Sequence, residues 1–154
     1  MSYAGEAHGP NLGRFAGGRM ITAVDTSVLI DVFRNDPDHG RLSADALRRC
    51  IREGRLVVCD IVWAELAGLF PSRKMLEEQM GRLKIDLVPM ERAAASLAGE
   101  TWRQYRSRGG KRKRIIADFL IAAHAQVQCD RLLTRDRGFC RDYFKKLTVI
   151  DPSG

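Results

Sequence analysis

The sequence predicts an α/β fold in which a mainly parallel sheet is covered by helices on both faces. Two observations lead to this prediction. Short apolar runs of strand length alternate along the chain with segments of helix length, which is the pattern of parallel strands joined by helical crossovers. Each strand-length run is also mainly apolar, without a regular alternation of polar residues, as expected for strands that are buried on both faces.

The first half of the chain contains three of the predicted strands and four of the predicted helices. The strands are predicted at 21–24, 56–59 and 85–88, and the helices at 26–34, 43–54, 61–70 and 72–83. Pro37 and Pro71 end the first and third of these helices, because proline lacks the N–H that a helix needs. Ser43 and Asp60 are suitable N-caps for the second and third.

The second half continues the alternation with two longer helices. Apolar residues recur at helical spacing from Glu91 until Gly109 and Gly110, a typical helix end. Residues 115–128 are apolar nearly all round, as in a helix buried in the middle of a domain. A strand at 131–134, a short helix at 139–144 and a strand at 147–150 complete the prediction.

The 154-residue chain is predicted to form one domain, at 20–154, preceded by a leader. Residues 1–19 contain five of the fourteen glycines and few large apolar groups, so they cannot bury enough surface to order themselves. They also lack the continuous apolar stretch of a secretory signal. We interpret them as a flexible leader or an expression remnant. No apolar run approaches the roughly 18 residues of a membrane span, which predicts a soluble protein.

The cysteines indicate a reduced, cytoplasmic protein. Cys50, Cys59, Cys129 and Cys140 are scattered, with no C-x-x-C pair that would indicate a zinc or redox motif. Three of them lie in apolar surroundings, which favours a packing role. A bridge between Cys129 and Cys140 stays open at this point.

The net charge of +7 originates in one segment of the chain. The sequence has 26 Lys and Arg residues against 19 Asp and Glu residues, and removing the seven basic residues of 103–114 leaves 19 against 19. A local excess of this kind is typical of a surface that binds nucleic acid, although a solvated surface can have the same composition. This basic segment consists of Arg103, Arg106, Arg108, Lys111, Arg112, Lys113 and Arg114.

Four acidic residues occur where a parallel sheet and its helices do not need them. Ligands of such folds bind beyond the carboxyl ends of the strands, and both Asp25 and Asp136 follow predicted strands. Each has an ordinary alternative, Asp25 as an N-cap and Asp136 as a turn residue. Asp118 interrupts the most apolar helix in its first turn, where the helix dipole favours an anion. Glu65 lies at the edge of an apolar stripe and could be a plain boundary residue.

Carboxylates gathered at one sheet edge indicate a metal site. They repel each other unless a cation neutralises them. Oxygen ligands without His or Cys favour Mg²⁺ or Mn²⁺ over zinc. A metal held in this way, with water in its remaining positions, can activate that water against a phosphodiester. The basic segment would then hold the nucleic-acid backbone.

Four segments in this order resemble the PIN-domain ribonucleases, and among them the VapC-type toxins of prokaryotic toxin–antitoxin pairs. They are VDTSVLID at 24–31, WAEL at 63–66, ADFLIAAHA at 117–125 and TRDRGF at 134–139. The resemblance implies a three-layer α/β/α sandwich. It also implies divalent-metal-dependent cleavage of RNA, often tRNA or ribosomal RNA, by a homodimer that a cognate antitoxin inhibits.

The resemblance also assigns roles to individual positions. The four acids match the metal-site and catalytic acids of the family, with Asp136 as the fourth. Thr134 matches a hydroxyl that supports the first aspartate, and Ser27 is a second candidate for that role.

Two other functions remain open. A PIN nuclease of RNA maturation, without an antitoxin, explains the same residues. A non-catalytic RNA-binding module explains the basic segment but leaves the acids unexplained.

A phosphatase of the haloacid-dehalogenase type would need a second acid where the chain has Ser27. A nucleotide-binding loop would need a glycine spacing that Gly109 and Gly110 do not provide.

Overall fold

The structure is a computed structural model that describes residues 19–110 and 114–154. Residues 1–18, which make up nearly all of the predicted leader, and 111–113 of the basic segment lie outside the described residues. Each predicted strand and helix is present. The strands are β1 (Met20–Val24), β2 (Gly54–Val58), β3 (Ile85–Leu87), β4 (Arg131–Leu133) and β5 (Thr148–Ile150). The helices are α1 (Thr26–Phe33), α2 (Gly40–Glu53), α3 (Asp60–Ala67), α4 (Arg73–Arg82), α5 (Arg92–Ser107), α6 (Ile116–Gln128) and α7 (Arg137–Tyr143).

The five strands form one sheet in the order β3-β2-β1-β4-β5, and every pair is parallel. This confirms the predicted α/β/α architecture. Val57, Val58, Leu132 and Leu133 are almost completely buried, as expected for strands covered on both faces. From β1 the chain proceeds to β2 on one side and later crosses to β4 on the other. The strand order therefore reverses between β1 and β4, where folds of this class open a crevice for a ligand.

An aromatic cluster joins the helices that border this crevice. Phe119 of α6 is fully buried. Its ring centroid lies 5.4 Å from that of Tyr105 on α5 and 5.0 Å from that of Phe139 on α7. Rings at these distances and tilted geometries attract each other as well as burying apolar surface. The cluster thereby positions the first turns of α6 and α7 relative to each other.

The cysteines have the predicted packing role, and His124 is buried as well. All four cysteines are buried thiols, so Cys129 and Cys140 are not bridged. His124 is buried in α6 and its Nε2 donates to the carbonyl oxygen of Val88 at 2.9 Å. Burial lowers the pKa of this imidazole. Across the two described ranges, no helix combines the length and apolar character that crossing a membrane requires.

The predicted start of the second helix is wrong. α2 begins at Gly40 and not at Ser43. The carboxylate of Asp36 accepts the backbone N–H of His39 at 2.8 Å, and the N–H of Gly40 donates to the carbonyl oxygen of Asp36. These bonds turn the chain into the helix one turn earlier than an N-cap at Ser43 would.

Asp31 of α1 is a buried acid. Its carboxylate accepts from Arg135 at two nitrogens, Nε at 2.8 Å and Nη2 at 3.1 Å, and from the hydroxyl of Ser43 at 2.9 Å. A two-pronged contact of this kind restricts orientation as well as distance. It ties the segment after β4 to α1 and α2, and this segment also contains Thr134 and Asp136.

Candidate active site

The candidate site lies in the crevice at the carboxyl ends of β1 and β4. Asp25 directly follows β1 and is the N-cap of α1. Its backbone N–H donates to the carbonyl oxygen of Leu133, at 3.0 Å, and so joins the ends of the two strands. Asp25 therefore occupies the N-cap position that the sequence predicts, but its side chain makes no capping hydrogen bond to α1 and instead lines a pocket.

One hydroxyl organises two of the predicted acids. The buried Thr134 Oγ1 donates to Oδ2 of Asp25 at 2.7 Å and accepts the backbone N–H of Asp136 at 3.0 Å. The structure thus places Thr134 against the first aspartate, where the sequence puts a supporting hydroxyl.

The electrostatics of Asp25 reveal how closely the acids are gathered. Burial raises the pKa of its carboxyl, and the negative charges of Glu65 and Asp118 raise it further. The hydrogen bonds from Thr134 and from the backbone of Thr26 oppose this rise. A carboxylate in this setting is stabilised by any cation that enters the crevice.

Glu65 is held by a residue that the sequence analysis did not single out. The hydroxyl of the buried Thr26, the first residue of α1, donates to Glu65 Oε1 at 2.5 Å. Ser27 is half-buried in α1. Among the described hydrogen bonds, those that orient Asp25 and Glu65 through hydroxyls come from Thr134 and Thr26. Thr26 adjoins Asp25 in the sequence, but its partner lies 39 residues away, so only the fold identifies it.

Asp118 occupies the first turn of α6, as predicted. Its Oδ2 accepts the backbone N–H of Ile115 at 3.0 Å, which satisfies a donor that a helix start leaves without a partner. The side chain is half-buried. It therefore caps its own helix and faces the same pocket as Asp25.

Asp136 forms an ion pair with Arg114, a member of the basic segment. Nη2 of Arg114 donates to Oδ1 of Asp136 at 3.0 Å, and Nη1 donates to Oδ2. The guanidinium also lies over the ring of Phe139, with its carbon 4.6 Å from the ring centroid. Hydrogen bonding to Asp136 raises the pKa of Arg114. Arg114 is thus turned inward, toward the acids.

The pocket combines acidic and apolar walls. Three of the four predicted acids, with Thr134, face apolar side chains across it. It is lined by Asp25, Asp118, Thr134 and Asp136, and by Ile121, Ala122, Leu132, Phe139 and Cys140. Burial and the charges of Asp25 and Asp136 raise the pKa of Cys140 to about 12, so its sulfur stays a neutral thiol at pH 7. This excludes Cys140 as a thiolate nucleophile. We refer to this feature as the acidic pocket.

The acidic pocket contains side chains of the type that bind divalent cations, but these side chains do not point toward one common position. In the part of the chain that the structure describes, no three His, Cys, Asp or Glu side chains come together as ligands of one ion. Each acid is instead turned to a donor of the chain itself, Asp25 to Thr134, Glu65 to Thr26, Asp118 to Ile115 and Asp136 to Arg114. The charged groups of the acidic pocket are all carboxylates, however, and carboxylate oxygens are the ligands that Mg²⁺ and Mn²⁺ prefer.

The basic segment begins on an exposed helix face and leads toward the pocket. Arg103, Arg106 and Arg108 are exposed at the end of α5 and just beyond it. The guanidinium of Arg106 lies over the ring of Trp102, 4.3 Å from its centroid. Lys111, Arg112 and Lys113 lie outside the described residues, and Arg114 pairs with Asp136.

The class to which the protein belongs is that of α/β proteins with an all-parallel sheet between two layers of helices and a ligand crevice at the switch point of the sheet. A family model described as PIN domain matches residues 22–145. The chain therefore belongs to the PIN domain family, and it is at the level of class a nuclease, a hydrolase that acts on nucleic acid.

Solved structures share the fold. A chain in the crystal structure of VapBC2 from Rickettsia felis bound to a promoter DNA fragment is 18% identical, with a TM-score of 0.65, and the match covers 86% of this chain and 98% of that one. A chain of VapBC-1 from nontypeable Haemophilus influenzae is 21% identical, with a TM-score of 0.67, and the match covers 88% of this chain and 100% of that one. A chain of a toxin–antitoxin complex from Klebsiella pneumoniae is 20% identical, with a TM-score of 0.61, and the match covers 85% of this chain and 97% of that one. A comparison with curated proteins gave no match.

Proposed function

We propose that this chain is a VapC-type endoribonuclease, the toxin of a toxin–antitoxin pair, that cleaves RNA with the help of a divalent cation. The observation that carries the proposal is the gathering of carboxylates at the switch point of the sheet. Asp25, Asp118 and Asp136 line one pocket, and Glu65 is near enough to raise the pKa of Asp25. Like charges collected in a half-buried crevice favour occupation by a cation.

Asp25, Glu65, Asp118 and Asp136 would hold Mg²⁺ or Mn²⁺. When bound, the cation supplies an activated water for attack on an RNA phosphate and stabilises the charge that develops there. The chain prepares this site with its own hydroxyls, since Thr134 orients Asp25 and Thr26 orients Glu65. Groups that orient ligands in this way are expected to restrict the reaction to one geometry.

The basic segment would hold the RNA strand. Arg103, Arg106 and Arg108 are exposed together, and positive side chains attract the phosphate backbone of any sequence. Trp102, under the guanidinium of Arg106, adds a flat apolar surface. We propose that the positive charges of Lys111, Arg112 and Lys113 also contribute to holding the RNA backbone. A tRNA or ribosomal RNA loop would suit a site of this kind.

The partner proteins are proposed from the structural neighbours. Two of these are VapBC structures and a third is a toxin–antitoxin complex. We infer that this chain also pairs with a cognate antitoxin, that it forms a homodimer, and that it works in the cytoplasm. The four buried thiols support a reducing compartment. Co-purification of a small partner encoded beside this chain would support a toxin, whereas its absence would favour an RNA-maturation nuclease.

Cleavage of bulk tRNA tests the catalytic part of the proposal. We expect wild-type protein to cleave in Mg²⁺, and Asp25→Asn to lose cleavage because the substitution removes a charge from the acidic pocket while keeping the size of the side chain. EDTA should abolish wild-type cleavage. Equal cleavage by both proteins, or cleavage undiminished by EDTA, would overturn the mechanism. RNA binding without any cleavage would indicate a non-catalytic RNA-binding module.

A further inference from the structure

Arg114 differs from the exposed members of the basic segment in where its charge is used. Its side chain is 30% exposed, it pairs with both oxygens of Asp136, and its guanidinium rests on the ring of Phe139. Arg103, Arg106 and Arg108 remain exposed. The last residue of the segment therefore contacts two residues that line the acidic pocket, Asp136 and Phe139.

This contact has a direct consequence for cation binding. A guanidinium that engages both oxygens of a carboxylate cancels the charge that attracts a metal ion. Asp136 is the acid of the four that pairs with a full positive charge, whereas hydroxyl or backbone groups hold the other three. With Arg114 in place, Asp25 and Asp118 are the acids of the acidic pocket that have no bonded cation among the described residues.

The same fork of donors fits a phosphate group. Arginine binds phosphate and carboxylate oxygens with the same two-pronged geometry. Arg114 also directly follows the three basic residues at 111–113. An RNA backbone held by the basic segment would therefore bring a phosphate near Arg114, which among the described arginines of that segment is the one bonded to an acid of the pocket.

We infer that Arg114 is a guard residue that holds Asp136 while RNA is absent and exchanges it for an RNA phosphate, so that Asp136 becomes available to the cation only when substrate is present. This inference rests on the proposed function. It makes cation and RNA binding mutually reinforcing, because whatever displaces Arg114 from Asp136 favours both. Nuclease activity would then be low in the absence of correctly placed RNA.

Binding of Mn²⁺ to the RNA-free protein, measured by isothermal titration calorimetry, tests the inference without an activity assay. Arg114→Ala should bind Mn²⁺ about tenfold more tightly than wild type, a usual size for coupling between sites. Arg114→Lys keeps the charge but cannot engage both oxygens, and should fall between them. Arg48→Ala is the matched control, since it removes an arginine from the exposed ion pair with Asp45 on α2.

A double-variant cycle separates the guard role from a general effect of charge. The tightening caused by Arg114→Ala should disappear in an Asp136→Asn background if it acts through Asp136. Unchanged Mn²⁺ affinity in folded Arg114→Ala, or tightening that persists without the Asp136 charge, would overturn the inference while leaving the proposed function standing. No Mn²⁺ binding in any variant would overturn both. Circular dichroism establishes that each variant is folded, and a merely structural role would weaken binding rather than strengthen it.

Discussion

Thr134 shows how much of the candidate site depends on a single small side chain. Its hydroxyl donates to Asp25 and accepts from the backbone of Asp136, so it uses both its donor and an acceptor position. Asp25 is the acid whose pKa burial raises, and this bond lowers the cost of keeping it charged. The hydroxyl thus contributes both to stability and to the order of the site.

Thr134→Val keeps the shape of the side chain and removes the hydroxyl. We expect the free energy of unfolding to fall by about 1–2 kcal/mol, since Asp25 loses its donor in a buried place. We expect RNA cleavage to slow by about 10- to 100-fold, the usual cost of losing a group that orients a metal ligand. Urea unfolding and a cleavage assay measure the two effects. Thr134→Ser, which keeps the hydroxyl, is the control, and wild-type cleavage by Thr134→Val would refute the assigned role.

Sequence reasoning at the residue scale succeeded where chemistry and chain position coincide. Asp25 and Asp136 follow strands in one predicted sheet, so their meeting could be anticipated. The pairing of Arg114 with Asp136 spans 22 residues, and that of Arg135 with Asp31 spans 104. Such pairs depend on how the elements pack, so the partner of a charged side chain cannot be identified from the sequence alone. The sequence therefore placed Arg114 with the RNA-binding residues of the basic segment and did not reveal its partner Asp136.

At the scale of elements, the end of α5 determines where the basic segment leaves the helix. Gly109 has a left-handed backbone, with φ of 72°, which glycine adopts without strain. A Cβ at Gly110 would lie 2.5 Å from the carbonyl oxygen of Tyr105 and 2.6 Å from its ring. The glycine pair therefore ends the helix and lets the chain pass close to Tyr105, which belongs to the aromatic cluster.

Gly110→Ala should destabilise the fold, whereas Gly99→Ala in α5 should stabilise it. The new methyl group at 110 forces Tyr105 or the backbone to move, which we expect to cost about 1–3 kcal/mol. At 99 nothing lies within 4 Å of the added Cβ, and alanine is favoured in a helix by about 0.5–1 kcal/mol. Urea unfolding of the two variants gives the comparison. A Gly110→Ala protein as stable as wild type would show that this close approach is not needed.

The type and order of the elements along the chain could be predicted because the strands are short, mainly apolar runs and the helices have apolar residues at helical spacing. The order of strands in the sheet could not. β1 lies at the centre of the sheet, and no local pattern in residues 20–24 distinguishes a central strand from an edge strand. The early start of α2 was missed for a related reason, since it depends on the hydrogen bonds of Asp36 and not on the apolar stripe.

At the scale of the whole molecule, opposite charges are placed next to each other. The basic segment supplies the net charge of +7, and Arg114 at its end touches the acidic pocket. A polyanion attracted to the basic side chains is thereby brought beside carboxylates that would repel it without a cation. We therefore expect RNA to bind more tightly when a cation occupies the acidic pocket, and the cation to bind more tightly when RNA is present.

The salt dependence of RNA binding tests this arrangement. Replacing Arg103, Arg106 and Arg108 together by Ser should weaken binding and make the slope of log affinity against log salt shallower, by about 0.7 for each phosphate that the protein no longer neutralises. Filter binding of Asp25→Asn protein, which should not cleave, measures the slope. The matched control replaces three exposed arginines of α2 by Ser, namely Arg41, Arg48 and Arg52. Equal slopes for the two triple variants would show that the basic segment is an ordinary solvated surface that does not bind RNA.

The central claim is that the acidic pocket is a cation-dependent nuclease site, and the Mg²⁺ dependence of RNA cleavage by Asp118→Asn tests it most directly. Asparagine keeps an oxygen that can accept the N–H of Ile115, so the start of α6 is retained while the charge is removed. We predict cleavage slower by about 100-fold or more at every Mg²⁺ concentration. Asp45→Asn, which changes an exposed acid outside the pocket, should cleave like wild type. If Asp118→Asn cleaves RNA as fast as wild type and Asp45→Asn do, the acidic pocket is not the nuclease site.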